Sequence, residues 1–240
     1  MAITQNPLTS GAGAWGGSHT TASITPGANR LIFFAIASGS FDLAITHTLA
    51  GNGLTWVQVA RKTQVDTPVL TLFRAMGTSP TSGTIVITNS QNGRSAWSVF
   101  ELDGVDTSGT NGSGAIVQSP TASGASTTPA VTLAAFDHVS NGTVGAFSAA
   151  NDGADITPGT GFSLIHNANE GSGNNTHIGT EWRNDNDTSV DCTQASAWNW
   201  CAVGVEIKAA AAAGTGGAHG AMYPRMQRHI HQSWTVPRIG

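Results

Sequence analysis

Fourteen acidic residues, eight histidines and two cysteines are the side chains with chemical potential in this 240-residue sequence, and their spacing decides what they could do. Glycoside cleavage needs two carboxyl groups within about 5 to 10 Å of each other. Glu101, Asp103, Glu181 and Asp185 would serve if the fold brings two of them together, and separate surface turns are the simpler reading. Asp185, Asp187 and Asp191 offer oxygen ligands to calcium, but Val190 stands where an EF-hand loop needs its glycine and no bidentate Glu follows. His229 and His231 would project from one side of a strand as a metal pair does, yet no third ligand accompanies them and interface histidines are the favoured reading. The strings GxSxG, HExxH and CxxC and the phosphate-binding P-loop are absent. GAGAWG at Gly11–Gly16 satisfies GxGxxG, but lacks the strand before and helix after that would aim amides at a pyrophosphate. The expectation is a protein without catalytic residues, cofactor or metal.

Aromatic residues suggest a binding chemistry instead. Trp182 beside Arg183, Asn184 and Asp185 combines a flat apolar face with polar groups, the mixture a sugar site uses. Trp198 and Trp200 would share one face of a strand and extend such a surface, although core or subunit-interface tryptophans account for all three more simply. Cys192 and Cys201 read as lying on neighbouring strands around a turn near Ala195–Ala197. A register that sets them opposite each other would allow a cross-strand disulfide, and a reducing cytoplasm favours two buried thiols.

The elements that must position these residues are strands. Thirty glycines, 10 % charged residues and abundant Thr, Ser and Asn fit a turn-rich all-β chain, long enough for one large domain. Leu31–Ser38 is apolar on both faces, as a central strand is. Leu43–Leu49 and Leu54–Arg61 flank Gly51-Asn52-Gly53, a hairpin signal. Val69–Ala75, Thr84–Thr88 and Ser95–Leu102 follow, then a loop-rich middle around Ala115–Gln118. Val131–Ala135, Thr143–Ala149, Gly161–His166, His177–Arg183, Ser189–Thr193 and Trp198–Lys208 complete the set, the last alternating in period two. The string ITPG occurs at Ile24–Gly27 and Ile156–Gly159 and reads as two similar turns. Twelve to fourteen strands in one antiparallel sandwich are expected, preceded by an N-terminal extension over 1–17 and spanning 18–208.

Beyond Lys208 the composition changes. Residues 209–240 form an alanine run, a glycine-rich joint and an acid-free arm carrying Arg225, Arg228 and Arg238, net +3 against −7 for the body. An acidic body lacks the cationic surface that nucleic acid requires. Met222, Met226, Ile230 and Trp234 recur every four residues, which suits a helix stripe after Pro224, while alternate polar positions suit a strand. Either way the arm, with Tyr223 among its aromatic groups, presents a line of side chains for a protein partner. The first residues lack a secretory signal's charged and apolar regions, and no apolar run approaches the roughly 18 residues of a membrane span.

The succession ANRLIFFAIA, GNGLTWVQVAR, VLTLFRAM, TIVITNS, AWSVFELDGVDTSG, NGTVGAFSAAN and TPGTGFSLI resembles the jelly-roll-type β-sandwich modules in structural proteins of tailed bacteriophages. The likeness covers about Ser23–Lys208 and is carried most by Phe100–Ser108 and the closing strand. It implies a virion component assembled in the host cytoplasm: a capsid decoration protein first, otherwise a head fibre, collar or tail-associated protein. A homo-oligomer whose arm binds the major capsid protein or another virion protein is expected, with a carbohydrate-binding adhesin as the alternative.

Overall fold

The computed structural model describes residues 2–39, 45–64, 68–150, 155–171 and 176–211. The first half of the chain supplies β1 (Thr4–Thr20), β2 (Leu31–Gly39), β3 (His47–Gly51), β4 (Val57–Thr63), β5 (Val69–Ala75) and β6 (Ile85–Asp103). After a 3₁₀ turn at Ser113–Ala115, the second half supplies β7 (Ile116–Gln118), β8 (Thr121–Ala125), β9 (Ala130–Thr132), β10 (Gly142–Ala150), β11 (Thr157–Pro158), β12 (Ser163–Asn169), β13 (Thr176–Arg183), β14 (Ser189–Thr193) and β15 (Asn199–Ile207). Sheet I has the order β1-β6-β2-β5-β4, with β3 also on β6. Sheet II runs β12-β13-β10-β15-β7, with β8 also on β15, and a third sheet, β11-β14-β9, covers its outer face. All pairings are antiparallel, so the expected all-β sandwich is present, with each main sheet drawn from one half of the chain.

Alternation along the strands builds three apolar layers. Leu31, Phe33, Phe100 and Leu102 of sheet I meet Val144, Ile178, Trp182, Val203 and Val205 of sheet II in the central core. Ile32, Phe34 and Ile36 face the other way, where Ile85, Ile87, Leu49 and Trp56 close over them. Phe147, Trp200 and Ala202 on the outer face of sheet II meet Val131, Val190 and Cys192 of the cover. Both main sheets are thus buried on both faces, and β2, β10 and β15 are buried at nearly every position, Thr143, Ser148 and Glu206 included.

Several expectations are corrected here. The segment expected as an N-terminal extension is β1, paired with β6 along nearly its whole length. Its glycines are needed because a Cβ at Gly11 would lie 2.9 Å from the Trp97 ring and one at Gly13 would collide with His19. GAGAWG therefore packs against aromatic rings. Asn52 and Gly53 take the positive φ values that their types favour, 58° and 64°, but no β3-β4 hairpin results. Asn52 is buried and donates to the carbonyls of Thr81 and Gly83, so the turn hands the chain from β3 on β6 to β4 on β5.

The two ITPG strings occupy equivalent places. Each follows one strand of a three-stranded unit and precedes another, β1-ITPG-β2 beside β6 in the first and β10-ITPG-β12 beside β13 in the second. In the first unit Asn6 and Ile32 flank Glu101, and in the second Gly145 and Leu164 flank Glu181 in the same register. Ile32 and Leu164 each lie five residues beyond their ITPG glycine. Between the sheets β6 lies against β13, β1 against β12 and β2 against β10, as a twofold exchange of the units requires.

Candidate functional site

Each unit buries one glutamate on the outer face of its sheet, and their surroundings differ. Glu101 accepts the Gly27 amide at 2.8 Å on Oε2, while its Oε1 accepts Asn6 at 3.1 Å and pairs with Arg30. Glu181 accepts the Gly159 amide at 3.1 Å on Oε2, but its Oε1 has no partner among the described residues. Two replacements cause this. Gly145 stands opposite Glu181 where Asn6 stands opposite Glu101, and Phe162 holds the place of Arg30 three residues after the ITPG glycine. The stem of Arg30 lies over Gly27, whereas the carbonyl and carboxylate of Asp191 from the cover lie over Gly159. Burial pushes the Glu181 carboxyl up to about 8; the Gly159 amide opposes this, and the charges of Asp191 and Asp187 add to it.

These glutamates cannot work as a glycosidase pair. Phe100 and Trp182, next to them in sequence, fill the central core, so the two carboxyl groups point away from each other across the sandwich. Asp103 is 58 % exposed and lies 3.6 Å from Arg30, and Asp185 pairs with Arg183.

A second polar cluster is buried near the end of β2. Ser38 Oγ lies 2.8 Å from His47 Nε2 and 2.9 Å from Ser95 Oγ, and His47 Nδ1 lies 3.1 Å from Thr71 Oγ1. This resembles part of a nucleophilic triad, but a hydroxyl occupies the place of the orienting carboxylate. Burial first, then the charges of Arg61 and His19, lowers the His47 imidazole to about 4. Ser98 likewise meets His166 at 2.9 Å and Thr180 at 2.7 Å between the sheets. The first network runs on from Ser95 through Asn89 to the Gly16 carbonyl, and both tie strands together inside the body. A cleft of about 290 Å³ between the 53–55 and 76–80 loops and Asn111 is lined without any titratable side chain.

The sugar-site residues are dispersed. Trp182 is buried in the central core and Trp200 in the outer one, where its Nε1 donates to Ser126 at 3.0 Å. Neither indole offers a face to a ligand in solution. Arg183 is held by Asp185, by Asp187 at 2.6 Å and by the Thr160 carbonyl, with its guanidinium 5.7 Å from the Phe162 ring centre. Trp198 remains 41 % exposed. Cys192 and Cys201 are both buried free thiols, the reading favoured from the sequence, and the possible disulfide is absent because the strands that carry them are not neighbours. They fall in different apolar layers because β14 pairs with β9 and β11, whereas β15 pairs with β10. Asp185 and Asp187 serve Arg183, and among the described residues no group of three or more His, Cys, Asp or Glu could hold a metal.

The arm residues Met222, Tyr223, Arg225, Met226, Arg228, Ile230, Trp234 and Arg238, with His229 and His231, lie outside the described residues. Its root is described. Val105 bridges Ala209, the Ala210 amide donates to Gly104 at 2.8 Å, the Asp106 amide donates to Lys208 at 2.9 Å, and the Lys208 ammonium pairs with Asp106 at 2.9 Å. The connector between the two halves therefore holds Lys208–Ala210, the last stretch before the described residues end.

Sequence reasoning named Glu101 and Glu181 but missed their matched settings, and it missed the His47 network. The repeated ITPG was the available signal for the first, and nothing local marked the second. Comparison with protein-family models, with curated proteins and with solved structures returns no match.

Proposed function

We propose that this chain is a non-enzymatic structural protein of a bacteriophage virion, a capsid decoration subunit that oligomerises through its sandwich and is tied to a neighbouring virion protein by its C-terminal arm. The observation that carries the reading is the fastened root: a body of net −7 ends in a strand pinned to the connector, and an acid-free arm of net +3 follows. A rigid root is what a tether needs, because it fixes where the arm begins. The hydrogen bonds of Glu101, His47 and His166 to partners inside the body also support a structural role, and the cleft beside the 53–55 and 76–80 loops has no titratable side chain in its lining. On a repeating shell, many weak contacts add through multivalency, so no single contact need be strong.

Cosedimentation tests the proposal, using source-derived particles stripped of this protein and either the full chain or a version ending at Ala213. Pelleting by the full chain alone supports the anchor. Equal binding by both removes the arm from the contact and moves it to the sandwich surface. A glycan-binding adhesin is the second reading, favoured by exposed Trp198. It requires glycan binding that Trp198→Ala abolishes with the fold intact.

A further inference from the structure

We propose that Glu181 is a proton-controlled latch between sheet II and its β9-β11-β14 cover: the cover stays seated while this carboxyl is protonated and is released when it ionises. The geometry argues by contrast with the equivalent site. Around Glu101, a guanidinium and a side-chain amide occupy the positions that would satisfy a carboxylate. Around Glu181, both are gone, and the cover strand brings Asp191 instead. Gly145 leaves the space that Glu181 uses, since a Cβ there would lie 2.7 Å from Oε1 and 2.8 Å from Val190 of the cover. A charged carboxylate in that space would sit unsolvated under an acidic lid, which burial and repulsion both penalise.

The facing groups offer no relief. From the cover strand come Asp191 and the Cys192 thiol, and from the loop before it Asp187. β10 and β15 present Gly145 and Gly204, β12 presents Leu164, and the turn after β11 presents only the Gly159 amide. Arg183, two residues along β13, is held by Asp185, Asp187 and the Thr160 carbonyl, and Glu206, further along the face, is held by Gln118 and Asn141. The cover consists of strands of two to five residues, so it can open without unzipping the central core.

Native-state hydrogen exchange on the full chain tests this at pH 6 and pH 8, with each amide corrected for its intrinsic rate. If Glu181 titrates at about 8 when the cover is closed and at the ordinary 4.5 when open, protection of the Val190–Cys192 amides falls about fiftyfold over this range. The Val203–Val205 amides of β15 should hold their protection, and Glu181→Gln should abolish the pH dependence at β14. Unchanged β14 protection in the wild-type chain overturns the latch, as does an equal fall in Glu181→Gln or a parallel fall at β15. An Asp191→Asn variant provides an independent arm should Glu181→Gln not fold. Its β14 protection should stop falling at a lower pH than in the wild-type chain, and an unshifted profile overturns the proposal.

Discussion

His47 makes the stability of the protein sensitive to mild acid, by an amount its burial sets. The imidazole is 6 % exposed, hydrogen-bonded at both nitrogens to hydroxyls, and faces the positive charges of Arg61 and His19. Its pKa of about 4 when folded lies below the ordinary 6.5 of an unfolded chain. Between these values the unfolded chain binds a proton that the native state refuses, so stability present above pH 6.5 is lost as pH falls to 4. The span of roughly 2.5 pH units corresponds to about 3 kcal/mol. That is a large share of the roughly 5 to 15 kcal/mol by which domains are stable. Glu181 works with the opposite sign, contributing stability at low pH that is lost as pH rises from 4.5 to about 8, so the whole-protein profile mixes the two. The difference between wild type and His47→Gln separates them. Urea denaturation at pH 6.5 and pH 4, with the denaturant slope checked for constancy, should show the wild-type advantage shrinking by about 3 kcal/mol. A difference that stays constant across that range refutes the reasoning.

Two further substitutions compare buried with exposed roles. Arg30→Ala strands Glu101, a carboxylate that is 2 % exposed, and should cost about 3 kcal/mol in urea denaturation, against less than about 1 kcal/mol for Arg183→Ala, whose acidic partners reach solvent. Trp182→Ala should cost about 3 to 5 kcal/mol through the cavity it leaves, whereas Trp198→Ala should change thermal or urea stability by less than about 0.5 kcal/mol.

Local signals marked many strands and few of their partners. Val69–Ala75 and Ser189–Thr193 match β5 and β14 in both bounds, because an apolar or β-branched run between turn formers is a local property. Asn52 and Gly53 announced their positive φ for the same reason. Which strand lies beside which depends on distant packing, so the turn was legible and the pairing was not. β1 was hidden because Gly and Ala carry no alternation, and its extension is imposed by β6. β6 itself reads as two strands because polar Asn89–Arg94 interrupts it, yet those residues stay in the ladder beside the irregular stretch of β1. Glu101 and Glu181 were visible as acids. Their opposite orientations and their shared glycine cap required the register, which four matching letters of ITPG hinted at without establishing.

The connector over 104–115 has a consequence for how copies of this chain find themselves. Each half presents an inner face that only the other half completes, so the second half of a neighbouring molecule is chemically as good a partner as the chain's own. What favours self-closure is the short tether, which keeps the cognate half at a high effective concentration. Its clamp on Lys208–Ala210 gives that tether a second point of attachment once the closing strand arrives. Lengthening the connector removes the advantage without touching a single core contact, and an exchanged dimer is the species that then gains.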